Sequence, residues 1–349
     1  MSCQWSRLFV SLTLGVLMTT GYAASKDPLD TPARMSLQKN ARLLAVASAG
    51  DRLVAVGPGG RILVSIDYGT SWQQVVVPVS SDLVAVHFLN PMQGWVVGHD
   101  GVVLHSSDGG MHWISQLDGR QAALVTKAYF GAQDQNSVDK TARLEAERFV
   151  EEGPDKPFFD VLFVNQHEGF VVGAFNLAMH TADGGKTWTP LNDRTDNPGS
   201  LHLYAITQDG EDIYLTGEQG LLRRWDRTLQ RFQSLTSPYK GSFFGIVGKP
   251  GCLIAFGMRG NAFRSRDRGQ TWQKLKIPGS AGITSGAFLK DGTVVLTTQA
   301  GKLLISKKEG DDFFVSALTS ARPYFGVTEV DAHRVVIVGE QGINADIIP

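Results

Sequence analysis

A unit of about 41 residues recurs along this chain, and each clear copy closes in the same way: a hydroxyl residue, an aspartate two positions on, a glycine, then tryptophan. The copies run Ser65 to Trp72 around Asp67, Ser106 to Trp113 around Asp108, Thr181 to Trp188 around Asp183, and Ser265 to Trp272 around Asp267. Two weaker copies follow the same beat, Arg224 to Phe232 keeping Asp226, and Ser306 to Phe313 keeping Gly310 but placing Lys308 where the acid stands elsewhere. Asp67 to Asp108 is 41 positions, Asp183 to Asp226 is 43, and Asp226 to Asp267 and Asp267 to Lys308 are 41 each; only Asp108 to Asp183, at 75, breaks the period. A repeat of this length is one supersecondary unit that cannot bury its apolar face alone, so neighbouring copies must stack into one domain.

Each unit has the same interior. Leu83 to Phe88, Gly94 to Gly98 and Gly101 to Ser106 are β-branched and aromatic runs separated by glycine, and the order recurs at Phe159 to Phe163, Gly169 to Gly173 and Leu177 to Thr181. A fourth run follows the tryptophan. Four short strands with turns fill about 41 residues, the size of one propeller blade. The expected fold is therefore all-β, a seven-bladed β-propeller with blades starting near residues 43, 83, 158, 203, 243, 283 and 324. The misfit spacing predicts a helical insertion after blade 2, about residues 118–157, with a charged helix over Val138 to Glu152 stopped by Gly153-Pro154. The last unit ends after three strands, and Asp30 to Leu37 is expected to supply the fourth and close the ring.

Residues 1–24 differ from the rest: Arg7, the apolar run Leu8 to Met18, and the small-residue stretch Gly21 to Ser25 have the layout of a signal peptide cleaved after Ala23 or Ala24. The expectation is an exported protein with no membrane insertion after cleavage, in the periplasm, or in the thylakoid lumen of a photosynthetic organism. The cysteines are Cys3 and Cys252, which leaves no disulfide in the mature chain and no cysteine at the cleavage site for a lipid anchor. With 33 basic and 34 acidic residues, the chain has no net field to attract nucleic acid.

The repeated turn has local chemistry. Its aspartate accepts hydrogen bonds from backbone N–H groups, its glycine takes the left-handed conformation, and its tryptophan packs between sheets. Asp67, Trp72, Asp108, Trp113, Asp183, Trp188, Asp267 and Trp272 are thus read as structural. The motif resembles the Asp-box, or BNR repeat, of sialidase-like propellers, in which these boxes lie away from catalysis. The arginine triad, the tyrosine nucleophile and the Phe/Tyr-Arg-Ile/Leu-Pro signature of sialidases are absent, as are Gly-x-Ser-x-Gly, His-Glu-x-x-His and a phosphate loop. The eight histidines show no ligand spacing. No enzyme activity, metal or cofactor is expected. The propeller layout with strand pairs such as Gly94-Trp95-Val96-Val97-Gly98-His99-Asp100-Gly101 is similar to the photosystem II stability and assembly factor family. That resemblance implies a scaffold for a protein partner, a membrane-complex subunit or exporter component. The alternatives are a divergent sialidase-like glycoside hydrolase and a carbohydrate-binding propeller.

Propellers bind on the face that carries the turns between second and third strands and the links between blades. Here that face offers His99, Asp100, Glu218, Gln219, Arg259, Glu340 and Gln341 as polar groups between glycines, with Tyr204, Tyr239 and Phe244 as aromatic anchors. Arg259 suits a carboxylate. The bland alternative is that these are only tight hairpin turns. The insertion is likewise either a solvated helical excursion or a lid for a partner.

Overall fold

A computed structural model describes residues 27–36, 40–133, 140–331 and 333–347. The proposed leader, together with Leu37, Val138 and Asp139, lies outside the described residues. The chain forms seven antiparallel sheets, six of four strands and one of three, each built in sequence order. The innermost strands are Ala45–Ala49, Leu83–Phe88, Phe158–Phe163, Leu203–Asp209, Phe243–Lys249, Ile283–Phe288 and Tyr324–Asp331, and they wall a central channel of about 610 Å³. This is the seven-bladed β-propeller expected, with its helical insertion after blade 2.

The second strand of each blade is buried on both sides, which is why it reads as an unbroken apolar run instead of an alternating one. Gly94–Gly98 and Gly169–Gly173 are buried throughout. Their side chains fill the space between neighbouring sheets: Trp95 and Val97 of blade 2 meet Phe163 and Val171 of blade 3, and the Trp95 and Phe163 rings stack at 3.5 Å. Trp113 and Trp188 cover such seams edge-on, against Phe88 and Phe163.

The aspartate turns join third to fourth strands. In blade 1 Asp67 Oδ1 accepts from the Ser71 N–H at 2.8 Å and from the Ser65 hydroxyl at 2.8 Å, while Oδ2 accepts from the Ser71 hydroxyl at 2.6 Å. Ser65 Oγ in turn accepts from the Gly69 N–H, and the Trp72 indole donates to the Gly69 carbonyl. Blades 3 and 5 repeat the carboxylate bonds through Thr187 and Thr271; blade 2 substitutes His112, whose Nδ1 lies 2.6 Å from Asp108 Oδ2. These bonds favour the ionised carboxylate and hold Asp67, Asp183 and Asp267 at about 2, well below the usual range; Asp108 reaches the same value against an opposing desolvation.

One expectation is corrected and another is extended. Residues 27–36 do not close the last blade, whose described strands are Tyr324–Asp331, Arg334–Gly339 and Gly342–Ile347. The segment lies along blade 1 instead: Ala33 N–H donates to Val77, Gln74 Nε2 to Arg34, and Ser80 N–H to Pro28, with Leu29 packed among Val77 and Val79. Blade 1 has an outer strand of two residues, Gln73–Gln74, and the segment takes the Val77 carbonyl beyond it. The insertion contains two helices, α1 (Gly119–Ala132) and α2 (Lys140–Glu152). The helix missed in the sequence starts at an Asp118–Gln121 capping box and buries Ala122 and Ala123 with Phe149 of α2 against blades 2 and 3. Arg120 of α1 pairs with Asp27 and Asp30, fastening the insertion to the N-terminal segment. Among the described residues no helix is long and apolar enough to cross a membrane.

The aspartate turns set an acid limit on stability. Their carboxylates are depressed in the folded chain, so their contribution is complete above about pH 5 and is lost as pH falls towards 2. The difference in urea midpoint between wild type and Asp183→Ala should hold steady from pH 7 to about pH 5 and shrink below it. Asp183→Ala should cost about 1–2 kcal/mol at neutral pH and little at pH 2. An equal loss at both pH values would show that the carboxylate bonds do not brace the hairpin.

Candidate functional site: the rim of the channel

The channel opens on the face formed by the second-to-third-strand turns, and one backbone hydrogen bond recurs around it. The first residue of the turn donates its N–H to the carbonyl just before its own inner strand: His99 to Asp82 at 2.8 Å, Ala174 to Pro157 at 3.1 Å, Glu218 to His202 at 3.1 Å, Met258 to Ser242 at 3.1 Å, Gln299 to Gly282 at 2.9 Å and Glu340 to Pro323 at 3.1 Å. Blade 1 has Pro58 at this place, which has no N–H to give. The bond draws the end of the second strand so close to the link that a Cβ on Gly98, Gly173, Gly217, Gly257 or Gly339 would collide with that carbonyl oxygen. Blade 6 carries Thr298 in this position and moves the glycine across the contact, to Gly282.

In blades 1 to 5 the turns have positive φ at both central residues, as a two-residue hairpin of this hand requires. Glycine fits there, yet the first central residue is Asp100 (φ 56°), Phe175 (φ 51°), Gln219 (φ 52°) and Arg259 (φ 56°) in blades 2 to 5. Blade 1 uses Gly59. Four side chains are thus displayed at the apex in a conformation that L-residues adopt only at a cost, and such strain collects at functional sites.

A second set of side chains enters the mouth from the inner strands. In every blade the first position of the inner strand, from Leu43 and Leu83 to Tyr324, is buried between sheets. In six blades a break in register follows, which turns the next residue towards the channel: Val84, Phe159, Tyr204, Phe244, Thr284 and Phe325, with Leu44 matching them in blade 1. Four of the seven are aromatic. On blades 3 to 5 they form a continuous arc with two neighbours: Phe175 to His202 at 4.6 Å, His202 to Phe159 at 6.0 Å, Phe159 to Tyr204 at 5.6 Å and Tyr204 to Phe244 at 5.9 Å between ring centroids. Phe175 is 60% exposed, a large apolar surface for a turn apex. Its own N–H donates to His202 Nδ1 at 2.9 Å and fixes that ring.

The candidate residues fall into three groups. Tyr204 and Phe244 line the mouth, and His99, Gln219, Arg259 and Gln341 are exposed around it. Asp100, Glu218 and Glu340 belong to the rim but already have partners: Ser81 donates to Asp100, the His202 N–H and Tyr204 hydroxyl to Glu218, and Arg42 pairs with Glu340 while its guanidinium lies over Phe325. Burial and then Glu218 push the Tyr204 phenol up. Tyr239 is not a mouth anchor: its ring packs on Phe243 and Phe263, and its hydroxyl donates to the Met258 carbonyl, so it is a spacer between blades. Sequence reading missed Phe159, Phe175, His202 and Phe325. Blade 3 lacks the second glycine of the turn, having Asn176 there, and aligning Gly173 with Gly98 would have exposed Phe175 as an apex residue.

Deeper in the wall, Asp160 Oδ2 accepts the Ile206 N–H of the next blade at 2.9 Å, and Oδ1 accepts the Val161 N–H at 2.9 Å. Packing around this half-buried carboxyl pushes its pKa up to about 7, against those two bonds. The neighbouring blades have Ala85 and Ala205 at the same position, so Asp160 is a tie between blades 3 and 4 and no second carboxylate faces it there for acid–base work.

The fold and its braced hairpins define a propeller of the Asp-box class, with a structural role for its aspartates. The chain belongs to the photosynthesis system II assembly factor YCF48 family, whose profile matches residues 37–131 and 141–236; a BNR/Asp-box repeat matches at 263–274. Among relatives, the chain is 23% identical over 328 residues to the chloroplastic photosystem II stability/assembly factor HCF136 of Oryza sativa, covering 85% of this chain and 70% of that one. It is 21% identical over 278 residues to the photosystem II assembly lipoprotein Ycf48 of a Synechococcus strain, covering 74% and 69%. Similar solved structures include YCF48 bound to D1 peptide (TM-score 0.63, 15% identity, 91% of this chain and 96% of that one) and YCF48 from Cyanidioschyzon merolae (TM-score 0.65, 14% identity, 91% and 99%). The WD40 propeller domain of Doa1 matches about as well (TM-score 0.62, 11% identity, 91% and 96%), so structural likeness at this level shows the fold alone.

If the apex side chains are held in strain for display, glycine should relieve it. Gln219→Gly and Arg259→Gly should leave the urea midpoint unchanged or raise stability by up to about 1 kcal/mol. A clear fall in both would mean that these side chains support the fold.

Proposed function

We propose that this chain is a non-catalytic, exported scaffold that uses its rim face to hold an extramembrane polypeptide segment of a membrane-complex subunit during assembly. The observation that carries the reading is the coincidence on one face of an aromatic arc and four strained, non-glycine turn apices. An arc of rings supplies large contact area at low entropic cost, and exposed polar apices around it supply register and specificity. Membership of an assembly-factor family, and the D1 peptide bound by one structurally similar protein, fit a polypeptide ligand better than a sugar. The site of action is the periplasm, or the lumen if the organism is photosynthetic. The lone carboxylate Asp160 gives a glycoside hydrolase no acid–nucleophile pair in the channel wall.

Two measurements test this. A photoreactive phenylalanine analogue at position 175 or 244 should form adducts with an integral membrane protein in the native envelope, and the same analogue at Tyr68, on the opposite face, should not. Adducts from both faces alike, or sugar release on incubation with glycans, would overturn the reading. Arg259→Glu should weaken recovery of the adduct made from position 244 and leave the thermal midpoint within about 2 °C of wild type.

A further inference from the structure

The insertion builds a second concavity beside the rim. It encloses about 760 Å³ between α2, the Phe175 turn of blade 3 and the link that leads into blade 4. Its floor is apolar, with Phe130, Phe149 and Leu177. Its walls carry Glu145 and Glu152 from α2, Asp155 after it, and Asp193 and Asp196 from the link, of which Asp193 pairs with Arg194 at 3.7 Å and Asp196 with Arg223 at 3.8 Å. The bases at the groove are Arg148, Lys156 and Arg231, and the first two are both engaged by Glu152. Glu145 and Asp155 are exposed and have no ion-pair partner among the described side chains. Partial desolvation by the groove walls raises the Asp193 carboxyl above its ordinary range, although the residue is exposed and pairs with Arg194 at 3.7 Å. Phe175 lines this groove and also begins the aromatic arc, so one track runs from the acidic groove over Phe175 and His202 to the channel mouth.

We propose that the groove receives a lysine or arginine side chain of the bound polypeptide, so that the ligand is an extended segment with a basic residue a few positions from an apolar or aromatic anchor. The inference rests on the reading of the rim as a polypeptide site and adds the chemistry of the ligand. An exposed carboxylate with no ion-pair partner among the described side chains, above an apolar floor, suits a cation on an alkyl stem: the methylenes cover Phe149 and Leu177 while the charged head meets Glu145 or Asp155. The separation between anchor and base is set by the distance from Phe175 to the far wall, a few extended residues at about 3.3 Å each.

A random dodecapeptide library displayed on phage and selected on the full chain tests it. Wild type should enrich peptides that carry Lys or Arg near an aromatic or large aliphatic residue. The variant Glu145→Gln/Asp155→Asn/Asp193→Asn, whose three positions are all exposed, should still enrich the apolar anchor and lose the basic residue. For a selected peptide, Lys→Gln should weaken binding to wild type about tenfold at low salt and leave binding to the triple variant unchanged. Apolar enrichment without basic residues, or basic enrichment that survives in the variant, would overturn the groove assignment and leave the rim reading standing. No enrichment on wild type would overturn both.

Discussion

The bond from the turn N–H to the carbonyl before the inner strand is the contact on which the rim depends. It closes the top of a blade on itself, and it does so in six of seven blades with lengths between 2.8 and 3.1 Å. In five of those blades its geometry explains the glycine that ends the second strand, because a side chain there would occupy the space of the carbonyl oxygen. With the second strand pinned to the link, the register break early in the inner strand has nowhere to relax except towards the channel. The rim rings and apices are then placed by backbone and not by side-chain packing, so their identity is free to vary from Gly59 to Arg259 and from Thr284 to Phe325.

The opposite face obeys a different constraint. There the third-to-fourth-strand hairpins are braced by carboxylates, and the side chains that do this are spent on the backbone: Asp67, Asp183 and Asp267 each bond the residue four positions on. One end of the ring uses its polar groups for structure, and the other leaves several exposed. This division is why the rim face is the one proposed for the ligand, and the chain's family is named for assembly.

Much of this was legible in the sequence. The period, the blade number and the aspartate turns follow from spacing and from glycine chemistry, because each copy must satisfy the same local bonds. Phe159 and Phe325 were hidden because their role depends on a break of register, which shifts one residue from the ladder to the channel and leaves no mark in the apolar pattern. Tyr239 was misread for the related reason that a link residue can face either the mouth or the neighbouring sheet, and only the packing of Phe243 and Phe263 decides. The path of residues 27–36 depends on how much of the blade 1 edge its two-residue outer strand leaves uncovered. The first helix of the insertion carried its signal in Asp118 and Gln121, a capping box that the charged second helix overshadowed.

A rim placed by backbone bonds is rigid before any ligand arrives, which keeps the ordering cost of binding low. Amide hydrogen exchange of the free protein, resolved to single residues, measures this directly. The account predicts that the N–H groups of His99, Ala174, Glu218, Met258 and Glu340 exchange as slowly as those in the centres of the second strands, through global opening alone. Exchange of these amides at the rate of exposed loops would show that the turns are not pinned and that the face is not preformed.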